Sequence, residues 1–158
     1  MQMDKKHQKF MNMAIDLSLE NVAINHGTPF GSVIVLNGKI IAKSANRVHA
    51  TNDPTAHAEV AAIRLACKKL KTFDLSGAVI YTSCEPCPMC LAAIYWSNIS
   101  TVYYANTKED AARANFDDQF IYDEFAKPVE DRKIAFEQLL RDEAQGAFGL
   151  WQEQEVKP

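Results

Sequence analysis

Two short segments carry the residues whose types and spacing can do chemistry: Thr55-Ala56-His57-Ala58-Glu59 and Cys84-Glu85-Pro86-Cys87-Pro88-Met89-Cys90. Cys87 and Cys90 are three apart, so on a helical turn both sulfurs point the same way, and the positive end of the helix favours their thiolates. Pro86 and Pro88 suit such a helix start, because proline is tolerated in a first turn and barred from the interior. If the first segment also opens a helix near the same sheet edge, His57 supplies a nitrogen as third ligand. The three make a soft N/S set suited to one Zn²⁺ per chain, at distances of about 2.0 to 2.3 Å. Three protein ligands leave a fourth position for water, the arrangement of catalytic rather than structural zinc. Glu59 lies two residues beyond His57; it need not bind the metal, and can take a proton from that water and return it to a substrate.

A structural zinc site, with Cys84 or His49 as fourth ligand, is the alternative on the same residues, and it leaves Glu59 idle. Cys67 falls in the apolar stripe of a helix and reads as core. The Cys84 thiol reads as packing beside the site, and His7 and His26 as surface or turn residues. Phe30 and Trp96, taken by themselves, read as core aromatics.

The elements that must position these groups follow from hydrophobic period and turn chemistry. Phe10, Met13, Ala14, Leu17 and Ile24 fall near a 3.6-residue period, which predicts a helix over 4–24 ending at Asn25-His26-Gly27-Thr28-Pro29. Two β-rich runs, Phe30–Leu36 and Lys39–Lys43, flank Asn37-Gly38 and predict a hairpin with a type I′ turn. Asn46–Pro54 reads as a loop. Ala56, Val60, Ile63, Cys67 and Leu70 share one face of a helix over about 55–71, and Gly77–Thr82 reads as a buried strand. Pro86–Trp96 is expected as a short helix and Ser100–Ala105 as another strand, giving at least two parallel crossovers. Beyond residue 106 the pattern predicts helical pieces over Asp110–Ala126, a strand or helix start over Ile134–Leu140, and a terminal helix over Ala144–Gln154. The order fits an α/β fold, a three-layer α/β/α sandwich with a mixed central sheet, in a single domain spanning 1–158.

Composition narrows the function classes. With 158 residues, 47% apolar and 23% charged, the chain can build a real core and does not resemble a disordered or fibrous protein. The longest unbroken apolar run, Met89–Trp96, is far short of the roughly 18 residues of a membrane span. The opening MQMDKKHQKF runs into an amphipathic helix rather than a signal peptide, so no membrane partner and a cytoplasmic location are expected. Net charge is −3 and no block of Lys or Arg is present, which speaks against a nucleic-acid partner. Three of the four cysteines lie within seven residues, a crowding that suits a metal better than a disulfide.

Three stretches together resemble the cytidine/deoxycytidylate deaminase superfamily. They are Pro29-Phe30-Gly31, Asn52-Asp53-Pro54-Thr55-Ala56-His57-Ala58-Glu59-Val60, and Tyr81 through Leu91 running on to Ala93-Ile94-Tyr95-Trp96. Asp110-Ala111-Ala112 and Phe116-Asp117-Asp118-Gln119-Phe120-Ile121-Tyr122 look like its bacterial guanine-deaminase branch, whereas tRNA adenosine deaminases share the zinc motifs and diverge after the cysteine helix. The resemblance implies that His57, Cys87 and Cys90 hold zinc and that Glu59 shuttles protons. It implies further that Asn46 and Asp118 hydrogen-bond the purine, while Phe30 and Trp96 form apolar walls. Guanine, flat and neutral with donors and acceptors on its rim, calls for such a set. The implied reaction converts guanine to xanthine and ammonia, with hydroxide held on the zinc as nucleophile. A homodimer is also implied, with a C-terminal segment (about 141–158) capping an active site, in some members by exchange between subunits. Phe148 and Trp151 match the aromatic spacing of that segment, and Glu155-Val156-Lys157-Pro158 depart from it in lacking a terminal aromatic. Two alternatives stand beside this expectation: a tRNA adenosine deaminase or other nucleobase deaminase, and a non-catalytic zinc-stabilised binding domain.

Overall fold

The computed structural model describes residues 5–25 and 27–154. The expected helix start at residue 4, the turn residue His26 and the atypical end Glu155–Pro158 lie outside the described residues. The chain divides into two compact units, the first running to Phe120 and the second beginning at Ile121.

In the first unit, helix α1 (Lys5–Ala23) leads into the hairpin β1 (Gly31–Leu36) and β2 (Lys39–Ala45). Asn37 and Gly38 both take positive φ, 50° and 75°, as the type I′ turn requires. A one-turn helix α2 (Val48–Thr51) lies inside the segment expected as plain loop. It is held by the Val48 N–H donating to Asn46 Oδ1 and by Thr51 Oγ1 donating to the Arg47 carbonyl, two local bonds that no apolar period announces. Helix α3 (Ala58–Leu70), strand β3 (Val79–Cys84), helix α4 (Pro88–Trp96) and strand β4 (Thr101–Asn106) follow, then α5 (Lys108–Arg113) and the start of α6 (Gln119–Ala126).

The sheet order is β2-β1-β3-β4. β1 runs antiparallel to both neighbours and β3 parallel to β4, so β2, β3 and β4 point the same way. The connections through α3 and α4 are therefore the two parallel crossovers the pattern predicts, although β1 separates β2 from β3. Side chains alternate across the sheet. Val33, Val35 and Tyr81 face Phe10 and Ala14 of α1, while Ile34, Ala42 and Ile80 face Ala62, Ile63 and Ala66 of α3 and Ile94 of α4. This is the expected three-layer α/β/α arrangement with a mixed sheet. α1 crosses β1 so closely that a Cβ on Gly31 would lie 2.3 Å from the Ala14 carbonyl oxygen, which reserves that position for glycine.

His7, expected at the surface, is instead half-buried on the sheet-facing side of α1. Its Nδ1 lies 2.7 Å from the Tyr81 hydroxyl and its ring 4.6 Å from that of Tyr103, because the helix stripe that reaches the sheet includes this turn.

The second unit holds the rest of α6, a 3₁₀ turn at Val129–Asp131 and helix α7 (Arg141–Glu153). Ile134–Leu140 is neither strand nor helix; its apolar residues find no strand to pair with among the described residues, and Leu140 turns the backbone at φ +50° to open α7. Phe148, Leu150 and Trp151 on α7 remain substantially exposed. Among the described residues no helix is long and apolar enough to cross a membrane.

Candidate active site

His57 and Cys87 occupy equivalent places. Each is the last extended residue before a helix, His57 (φ −61°, ψ 159°) before α3 and Cys87 (φ −64°, ψ 167°) before α4. Neither side chain caps its own helix, so both are free to turn toward each other across the ends of β1 and β3. The loop that delivers His57 is tied down first. Asp53 Oδ1 accepts from the Thr55 amide and hydroxyl at 2.8 and 2.6 Å, and Arg64 of α3 donates to Asp53 Oδ2 at 3.0 Å. Those bonds from Thr55, then Arg64, hold the Asp53 carboxyl below the usual carboxylate range. Pro88 opens α4, fixing its first turn and bringing Cys90 round beside Cys87.

The result is one group in which the ligand atoms of His57, Cys87 and Cys90 lie within 4.8 Å of one another. His57 Nδ1 is 3.5 Å from each sulfur. A tetrahedral zinc with Zn–N near 2.0–2.1 Å and Zn–S near 2.3 Å has N···S edges of about 3.6 Å, so the donor set fits the ion in both type and spacing. Electrostatics favour it as well. The hydrogen bond from Cys90, and then that from His57, overcome burial and pull the Cys87 thiol down to about 4. Cys90 is pushed up by that same bond to Cys87, by burial and by the charge of Glu59. His57 is raised chiefly by its bond to Cys87. A dication that replaces the protons of these groups relieves the crowding.

Glu59 sits in the first turn of α3, 5% exposed. Burial raises its pKa, with the Cys87 charge adding to the effect. Thr82 Oγ1 donates to Glu59 Oε1 at 3.1 Å, and Cys90 Sγ donates to Oε2 at 3.4 Å. A buried carboxyl beside the ligand group, poised to hold or release a proton, is the feature a structural metal site has no use for. Neither alternative fourth ligand joins the group: His49 is exposed on α2, and Cys84 Sγ faces the Thr107 carbonyl at 3.6 Å, its thiol pushed up to about 11 mainly by burial.

The other expected site residues divide. Asn46 is 4% exposed; its Oδ1 is taken by Val48 and its carbonyl by Asn21 Nδ2, which leaves the Asn46 amide NH₂ as its available polar group. Phe30 is half-buried and meets Phe116 edge to face, the centroids 5.1 Å apart, beside a cavity of about 150 Å³. Asp118 lines a separate hollow of about 170 Å³ with Lys108 and Gln119. Its carboxyl is raised by burial and then by the Cys87 charge. Trp96 lies on the helix that carries the cysteines. It ends α4, six residues past Cys90 or about 9 Å along the axis, and is 85% exposed.

Four residues at the site gave no signal in spacing. Thr82 holds Glu59. Ser83 Oγ accepts from the Gly31 amide at 3.0 Å, fixing the backbone beside Phe30. Glu85 Oε2 accepts from the Lys108 amide at 3.1 Å, tying the cysteine loop to α5. Asn21 of α1 bridges the Thr28 and Asn46 carbonyls.

The fold and the group at its helix starts define a zinc-dependent deaminase: the chain belongs to the cytidine and deoxycytidylate deaminase family, whose zinc-binding region matches residues 4–106. Among individual relatives, it is 52% identical to guanine deaminase of Bacillus subtilis, over 92% of this chain and 93% of that one. The solved structure of Bacillus subtilis guanine deaminase superposes with a TM-score of 0.93 at 50% identity, covering 96% of this chain and 97% of the other. A tRNA-specific adenosine deaminase of Agrobacterium fabrum is 44% identical, but over 60% of this chain and 62% of its own.

Proposed function

We propose that this chain is a zinc-dependent aminohydrolase that converts guanine to xanthine and ammonia. The observation that carries this reading is the extent of likeness: it runs through 92% of the chain for a guanine deaminase and stops at 60% for the tRNA enzyme. Zinc held by His57, Cys87 and Cys90 supplies a Lewis acid able to bring the pKa of water toward about 7. Glu59 accepts the proton that the attacking water gives up and delivers it to a ring nitrogen as the C–O bond forms at the amino-bearing carbon. Glu59 then carries the second proton to the amino group, and the C–N bond breaks with ammonia as leaving group. Burial suits Glu59 to this work, since it raises the carboxyl above its ordinary value and so favours taking up a proton. The Asn46 amide offers a donor to a purine acceptor, Asp118 accepts from guanine N–H groups, and Phe30 supplies an apolar face. Trp96, exposed at the end of α4, is the second apolar wall in this reading.

No nucleic-acid partner enters this reading. Neutralising phosphates takes clustered Lys and Arg, and the chain carries 17 basic against 20 acidic residues. Ammonia release from guanine, guanosine, adenine, cytosine, cytidine and tRNA tests the assignment, with guanine expected as the substrate. Deamination of a tRNA anticodon adenosine with guanine untouched sinks it. Asp118→Ala is expected to cost guanine turnover while leaving zinc stoichiometry at the wild-type level, because Asp118 is not in the ligand group.

The same proposal takes residues 1–158 as one functional domain in a homodimer, with the segment around 141–158 capping an active site. Exposed Tyr95 and Trp96 on α4, and exposed Phe148 and Leu150 on α7, are the support, since large apolar side chains at a surface mark contact regions. Removing residues 145–158 is expected to lower activity and alter mass in solution; an unchanged, fully active dimer refutes the cap.

A further inference from the structure

Glu59 can move protons only if its carboxylate stays in one place. Its Cα is fixed by α3, but the side chain has three rotatable bonds, and loss of alignment at a reacting centre is costly. Two side chains hold the carboxylate here, Thr82 Oγ1 on Oε1 at 3.1 Å and Cys90 Sγ on Oε2 at 3.4 Å. The second cannot survive metal binding, because a cysteine that ligates zinc has given up its proton and no longer donates. Thr82 then remains as the one side-chain donor to Glu59 among the described residues.

We propose that Thr82 is the positioning residue of the reaction, its hydroxyl fixing the Glu59 carboxylate in the metal-loaded enzyme. The proposal rests on the aminohydrolase reading above. Thr82 is well built for the role. It is 1% exposed on β3, between Ser32 of β1 and Tyr104 of β4 in register, and its β-branched side chain is stiff at χ1. Packing alone does not call for a hydroxyl at that position, because its face of the sheet is otherwise lined by Ile34, Ile80 and Val102, and valine would fill it. The neighbouring strand provides a built-in comparison. Ser32, directly opposite Thr82 and fully buried, has an Oγ with no partner in the structure, so it is a buried hydroxyl of the same row that makes no bond to Glu59.

The test uses the zinc-loaded full chain with Thr82→Val, Thr82→Ser and Ser32→Ala, reading zinc content, Tm, kcat and KM on guanine. Thr82→Val is expected to keep zinc and to lower kcat about 10- to 100-fold with KM little changed, the size expected for a lost hydrogen bond to a charged group. Thr82→Ser, which keeps the hydroxyl, restores kcat, and Ser32→Ala leaves it unchanged. In a Glu59→Gln background Thr82→Val has no further effect. The proposal is overturned by a Thr82→Val kcat near wild type, by Thr82→Ser as impaired as Thr82→Val, or by an equal further loss in the Glu59→Gln background. Should Thr82→Val fail to fold, Thr82→Ala, which removes the hydroxyl without adding bulk, takes its place. A wild type that releases no ammonia from guanine refutes the aminohydrolase reading instead. The positioning claim is then decided by crystal structures of the zinc-loaded wild type and the hydroxyl-lacking variant: the Glu59 carboxylate must shift in the variant, and an unmoved carboxylate overturns the proposal.

Discussion

Replacing Glu59 with Gln is expected to leave zinc content and fold intact while lowering guanine turnover about 10²- to 10⁴-fold, the usual cost of removing a general acid/base. The substitution keeps shape and keeps an oxygen to accept from Thr82, so the local geometry has little reason to change. What disappears is the capacity to accept one proton and donate another. Glu59 is buried and its carboxyl is raised by that burial, so a neutral amide in its place relieves rather than adds a desolvation cost, and Tm is expected to hold or rise. Metal analysis, thermal melting and ammonia release on the same preparation check the three parts. A variant that turns over near the wild-type rate shows that another group carries the protons, and Asp118 is then the residue to examine.

Replacing Cys87 with Ala is expected to abolish stoichiometric zinc, and Cys84→Ala to retain it. The two cysteines are three residues apart and both lie near the site, yet their surroundings are opposite. Cys87 leaves β3 behind, precedes α4 in extended conformation and places its sulfur 3.5 Å from His57 Nδ1, in a setting that lowers its thiol to about 4. Cys84 closes β3, turns its sulfur to the Thr107 carbonyl and keeps its proton, with burial raising the thiol to about 11. A zinc site with three protein ligands has none to spare, so losing one leaves two donors and a vacated coordination position. Activity falls with the metal. Full zinc occupancy in Cys87→Ala, or loss of zinc from Cys84→Ala, shows that the ligand set is wrongly assigned.

The sequence by itself determined the main helices and strands up to residue 106, the one-turn α2 excepted, and the identity of the ligand group. Asn37-Gly38 dictates the hairpin turn, the apolar periods of α1 and α3 dictate which faces are buried, and prolines around Cys87 dictate where α4 begins. These signals are legible because each rests on backbone period or on one residue's φ preference, both properties of a short stretch of chain. His57, Glu59, Cys87 and Cys90 were legible for a related reason: few other chemistries need that combination at that spacing.

Only the tertiary structure decided which side chains serve those four. Thr82 meets Glu59, 23 residues earlier, because β3 lies against β1 under α3, and strand pairing is a long-range choice that no window of sequence contains. The same holds for Ser83 under Gly31, for Glu85 at the start of α5, and for His7 against Tyr81. Ile134–Leu140 reads as strand or helix by composition and becomes neither, because an apolar run takes on regular structure only where a partner or a packed face receives it.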